Sequence, residues 1–109
     1  MTMEFPPDFR VDIFIYPQDG QWIAHCIQLD IAVSDADRPQ AVDECVATCA
    51  EHLAFAIDNG RMDTAFKMAP AEILRQFLRG RKVGTITVPL PTTEDHVRRV
   101  DFQEVSAAA

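Results

Sequence analysis

The sequence predicts an α+β domain: an antiparallel sheet of three to four strands, in the order β-β-β-α-α-β, covered on one face by a long helix. Three observations lead there. The segment Phe9 to Tyr16 alternates apolar and polar residues with a period of two. The pair Asp19-Gly20 joins it to a second apolar segment, and Asp-Gly supplies the positive φ angles of a tight hairpin turn. Downstream, an apolar stripe with helical spacing runs through residues 38–59.

Taken in order, Pro6-Pro7 prevents regular structure from starting before Phe9. In the first strand Phe9, Val11, Ile13 and Ile15 face one way, and Arg10, Asp12, Phe14 and Tyr16 the other. The second arm, from Trp22 to Ile27, is apolar on both faces and reads as the middle of the sheet. Ile31 to Val33 reads as a short third strand after the polar link Gln28-Leu29-Asp30. Asp37 is placed to cap the long helix, and Pro39 suits its first turn, where no amide hydrogen is needed. Val42, Cys45, Val46, Cys49, Leu53, Ala56 and Ile57 form its buried stripe, with Glu44, Thr48, Glu51 and Asp58 opposite and Gly60 as the stop. Phe55 falls among the acidic residues of the outer face. Arg61 to Ala69 reads as a loop, Pro70 to Leu78 as a short helix, and Val83 to Leu90 as a fourth strand closed by Pro89 and Pro91. The expected division is an arm over residues 1–8, one domain over 9–90, and a polar, partly disordered tail over 91–109.

Composition and charge narrow the functional classes. The 109 residues are 48% hydrophobic and 25% charged, which fits one globular domain. No apolar run approaches the ~18–20 residues needed to span a bilayer, and no secretory pattern opens the chain, so a cytoplasmic protein is expected. Three cysteines without a Cys-x-x-Cys pair point to reduced thiols. Residues 1–64 carry 3 Lys/Arg and 12 Asp/Glu (−9), and residues 65–109 carry 7 and 5 (+2), which together give the −7 of the chain. An acidic body is a poor match for a phosphate backbone and a good one for a basic protein.

The segments Asp19-Gly20-Gln21-Trp22-Ile23-Ala24-His25-Cys26 and Asp37-Arg38-Pro39-Gln40-Ala41, in the order strand, turn, strand, strand, helix, resemble the HicB family of bacterial antitoxins over about residues 8–60. The resemblance implies a partial RNase H-like fold without nuclease activity. It also implies a role in neutralising a small basic, RNA-cleaving HicA-type toxin, as part of a homo-oligomer (a dimer or tetramer) that represses its own operon. Two departures stand out. The family's glycine before the third strand is replaced here by Gln28-Leu29-Asp30-Ile31. The stretch Thr85 to Pro91 suggests the strand of a ribbon-helix-helix, but residues 92–109 hold one candidate helix where that motif needs two, which argues against operator binding.

Other residues invite chemistry. Asp12, Asp19, Asp30 and Asp35 sit on or near strands, as metal-binding acids do in true RNase H folds; the simpler reading is that they solubilise turns and strand ends. Cys45, Cys49 and His52 are zinc-ligand types on one helix, but the cysteines lie in its apolar stripe, where Cys packs as a small hydrophobe. His25 has no nucleophile at a recognisable spacing. Trp22, Phe14 and Tyr16 suit a base-stacking platform, yet Arg10 is the one cation before Arg38, so a packed face or protein interface fits better. No P-loop, Rossmann fingerprint or nucleophile elbow occurs, and a protein without catalytic residues, cofactor or metal is expected. The expected contact surface is either the acidic helix face (Glu44, Glu51, Phe55) or the acidic tips (Asp19, Asp30, Asp35). The alternative is a standalone homo-oligomeric regulatory or ligand-binding module without a toxin partner.

Overall fold

The computed structural model describes residues 8–93 and 98–107. Their elements run β1 (Phe9–Gln18), β2 (Gln21–Cys26), β3 (Ile31–Asp35), α1 (Arg38–Asp58), α2 (Met62–Ala65), α3 (Ala71–Leu78), β4 (Arg81–Pro89) and β5 (Arg99–Ser106). The architecture is α+β, with one five-stranded mixed sheet in the order β3-β2-β1-β5-β4.

The hairpin forms as its turn residues dictate. Asp19 and Gly20 have φ of 52° and 77°, and Gln18 pairs with Gln21 across them. Strand β3 continues the meander antiparallel to β2. The middle of the sheet, however, is β1 and not the second arm of the hairpin. The hairpin leaves one edge of β1 open, and β5 fills it in parallel, Val11 opposite Phe102 and Phe14 opposite Val105. Strand β4 then pairs antiparallel with β5 at the outer edge. The sheet is thus neither limited to four strands nor wholly antiparallel. Part of the segment expected as a tail supplies this inner strand, in which Val100 and Phe102 are fully buried. The expected arm over residues 1–8 lies outside the described residues except for Asp8, whose backbone N–H donates to the Arg99 carbonyl at 3.0 Å.

Both faces of β1 are covered. Val11, Ile13 and Ile15 join Ala24 and Cys26 of β2 and the buried stripe of α1 in the main core, with Val100 and Phe102 of β5. On the opposite face Phe14, Ile27, Ala69 and Val105 are packed under Tyr16, Ile73, Leu74 and Phe77. The sheet therefore carries helix on two faces, because α3 and the strand-like link before it cover the second one. That link is fixed by backbone bonds from Lys67 N to Gln28 O and from Ala69 N to Ile27 O. Gly80 makes the α3–β4 turn fit: a Cβ there would lie 2.6 Å from Val105 Cγ1 and 2.9 Å from the Ser106 carbonyl. Residues 62–65, expected within a loop, form the one-turn α2, and the His52 Nε2–H donates to the Ala65 carbonyl at 3.0 Å.

Helix α1 begins at Asp37 with a proline in its first turn, as its sequence requires, but the Asp37 side chain makes no capping bond. Instead the Asp37 backbone N–H donates to Asp35 Oδ1 at 2.8 Å, so Asp35 organises the entry to the helix.

Because Phe102 sits at the centre of the main core, Phe102→Ala is expected to cost about 3–5 kcal/mol in urea unfolding, and exposed Arg75→Ala less than about 0.5 kcal/mol. A loose tail would show no such difference.

Candidate partner-binding site

A single helix is about 10 Å wide and strands lie about 4.8 Å apart, so α1 can cover two to three of five strands. It packs on β3, β2 and β1. The β5–β4 side of the same face is left with a groove of about 440 Å³ between α1 and the outer strand. Val46, Ala47 and Ala50 form its helix wall, and Ile86 and Val88 its floor. Asp43 and Glu51 stand at its rim, and Pro89 and Pro91 at one end. That end is fastened to the last turn of α1, where the Asp58 carboxylate accepts the backbone N–H of Thr93 at 3.1 Å and its hydroxyl at 2.9 Å.

The charged side chains on the outer face of α1 beyond Arg38 are all acidic. Asp43, Glu44, Glu51 and Asp58 are exposed on it, and no Lys or Arg occurs from Pro39 to Gly60. Phe55 is 63% exposed one turn beyond Glu51. Glu44, Glu51 and Phe55 are thus brought together as one accessible face beside an apolar groove. Sequence reasoning missed the groove and its floor. The missing signal is the alternation of Ile86 and Val88, which becomes informative only once β4 is known to lie beyond the reach of α1.

The acidic tips are not brought together in one place. The course of the meander puts Asp19 and Asp35 at one end of the sheet, since Asp35 pairs with Trp22 near the hairpin turn, and Asp30 at the other. Asp30 is also engaged: its Oδ1 lies 2.7 Å from His25 Nε2 and its Oδ2 3.9 Å from Lys67 Nζ, with the side chain only 21% exposed. Its backbone φ is 52°, the left-handed conformation that glycine adopts without cost. An aspartate thus takes the backbone conformation that glycine adopts freely, and its carboxylate is held by a buried histidine.

His25 is saturated by the same contacts. With Nε2–H donating to Asp30, Nδ1 is left to accept from the Tyr16 hydroxyl at 3.4 Å. Burial, and then the charge of Asp30, raise the Tyr16 phenol above its ordinary value. Asp12, at this end of the sheet too, is paired with Gln28: the Gln28 amide donates to Asp12 Oδ2 and its carbonyl accepts the Asp12 N–H, both at 2.7 Å. Cys26, Cys45 and Cys49 are buried free thiols, Cys45 and Cys49 with their sulfurs 3.9 Å apart. Contact with the thiols of Cys26 and Cys45, followed by burial, pushes Cys49 well above the ordinary thiol range. Among the described residues no group of three or more His, Cys, Asp or Glu side chains is arranged to hold a metal ion. The three aromatics do not make a platform either: Trp22 packs on the α1 face under the Arg38 guanidinium, 5.8 Å away, whereas Phe14 and Tyr16 lie on the other face. The Thr85–Pro91 stretch belongs mainly to β4, paired with β5, and does not form a detached ribbon. No helix of the described residues is long and apolar enough to cross a membrane.

Compared with protein-family models, curated proteins and solved structures, the chain matches none.

Two outcomes test the His25 cluster. Asp30→Ala is expected to destabilise the fold by about 1–3 kcal/mol, because it loses a charged hydrogen bond and leaves an alanine at a positive φ, and Asp30→Gly by less because the backbone strain is relieved. Equal losses in urea denaturation would remove the backbone contribution. Tyr16 has a raised folded-state value, so its contribution is complete below its ordinary value of 10.0 and is lost as pH rises beyond it. Tyr16→Phe should therefore flatten the alkaline fall in the urea midpoint relative to the wild-type chain.

Proposed function

We propose that this chain is a non-catalytic, HicB-like antitoxin module that binds a small basic RNA-cleaving toxin and blocks it by occlusion. The observation that carries the proposal is the acidic outer face of α1, without a Lys or Arg from Pro39 to its end, next to an apolar groove open to solvent. A toxin that cleaves RNA needs a cationic surface for the phosphate backbone. A carboxylate-studded helix is complementary to such a surface, steers its approach and competes with RNA for it. The apolar floor and Phe55 supply the desolvated centre that a lasting complex requires, with Glu44 and Glu51 as charged rim. Chemistry on the bound partner is not needed, because covering the RNA site is sufficient. The assignment to the HicB type rests on the hairpin and helix-start segments described above. Operator binding is not part of the proposal, since β4 leads into β5 and not into a pair of helices.

The test is affinity capture of the tagged chain's partner from its host, followed by RNA cleavage by that partner with and without the chain. A small basic protein should be retained at low salt, released at high salt, and silenced on RNA by the chain. The double reversal Glu44→Lys with Glu51→Lys should weaken binding about tenfold or more. Capture of no basic protein, or unchanged affinity after the double reversal, would overturn the reading.

A further inference from the structure

We propose that the corner formed by the end of α3 and the start of β4 is a docking surface for an anionic lipid bilayer, with Leu78 entering the headgroup layer between cations. Residues 71–82 hold 4 Lys/Arg (Arg75, Arg79, Arg81, Lys82) and 1 Asp/Glu (Glu72), a net +3 within a chain of −7. All four cations are exposed, and among the described residues none of them is in an ion pair. Their mutual repulsion is left for solvent or an external anion to relieve.

Packing aims three of these cations the same way. Ile73, Leu74 and Phe77 turn inward onto Phe14 and Val105, so Arg75 and Arg79, one helical turn apart, lie on the outward side of α3. Lys82 projects from the same face of the sheet, because it pairs with Val105, whose side chain belongs to that core. Gly80, which has no room for a Cβ, fixes the turn that sets Arg79 and Lys82 side by side. Next to Arg79 stands Leu78, which at 78% is the most exposed large hydrophobic among the described residues. A bare leucine ringed by cations suits the bilayer interface, where aliphatic groups are buried among acyl chains and Arg and Lys reach the phosphates. Nucleic acid would use the cations and gain nothing from Leu78. The rings that could stack on bases, Phe14 and Tyr16, are packed beneath α3.

The acidity of the chain does not oppose this contact. The carboxylates of α1 are on the opposite face of the sheet, in a molecule 24 Å across at its thinnest, against a screening length of about 8 Å at physiological salt. On the α3 face Asp12 is bonded to Gln28, Asp30 to His25, and Asp101 to the Thr87 hydroxyl. The surface is independent of the toxin-binding reading, and a chain held through α3 would keep the acidic face of α1 turned to solvent.

Flotation of the full chain with vesicles tests the proposal. Vesicles of equimolar phosphatidylglycerol and phosphatidylcholine should carry the chain upward at low salt and release it at high salt, whereas phosphatidylcholine alone should leave it behind. Each cation near an anionic surface strengthens partition roughly fivefold, so Arg79→Gln with Lys82→Gln should weaken it about 25-fold. Leu78→Ser should weaken it about tenfold while leaving its salt dependence unchanged. These side chains are exposed, so the urea midpoint of each variant should stay at the wild-type value, which separates lost binding from lost folding. No flotation with the anionic vesicles, or a Leu78→Ser variant that partitions like the wild type, would overturn the proposal. So would retention on a single-stranded RNA oligonucleotide without flotation, which would assign the cations to nucleic acid. Loss of vesicle binding with capture of a basic protein intact overturns only the lipid surface, and the reverse overturns only the toxin reading.

Discussion

Strand β1 has two faces to bury and two edges to pair, and the rest of the molecule is arranged to meet those four requirements. Its apolar side chains point both ways, with Ile13, Phe14 and Ile15 in succession fully buried. The hairpin with β2 satisfies one edge and β5 the other. Helix α1 covers one face, and α3 with the preceding link covers the other. An unpaired backbone group in this position would lose a hydrogen bond without water to replace it, so each requirement is strict.

The candidate site is a by-product of that arrangement. The demand for a partner on the second edge of β1 brings in β5, and β5 brings β4 with it. The sheet thereby becomes wider than one helix can cover, which leaves apolar side chains of β4 beside α1. Polar substitution of Ile86 and Val88 would have been the ordinary solution for a surface strand, since an apolar face is normally retained only where something covers it. The acidic residues of α1 stand over that strip, and their charge defines what kind of molecule would be attracted to it.

Much of this was legible in the sequence because it depends on local period and turn chemistry. Asp19-Gly20, the alternation after Phe9, and the stripe from Val42 to Ile57 each specify an element within a few residues of where it lies. The fifth strand was not legible in the same way. Its alternation, Val100 and Phe102 against Asp101 and Gln103, lasts only two periods and is flanked by Arg98, Arg99 and Glu104, so it resembles a charged surface segment. Parallel pairing with a strand ninety residues earlier leaves no local mark, as the Asp8–Arg99 bond illustrates. The separation of the acidic tips was hidden for a related reason: Asp19, Asp30 and Asp35 look equivalent in sequence, and only the direction of each strand separates them. The pairing of Asp30 with His25 across a turn likewise depends on a left-handed residue that composition does not announce.

The pairing of β1 with β5 also governs the order in which the molecule can assemble. During synthesis the meander and α1 emerge together and can form a half-sheet, but one edge of its central strand stays open until residues 99–106 have left the ribosome. Loop closure over that separation is slow compared with hairpin or helix formation. For that interval the nascent chain presents a long apolar edge, the kind of intermediate on which chaperones act and from which mispaired assemblies arise. The half-sheet therefore waits on β5 to close its open edge, while the acidic helix is complete well before that strand is made.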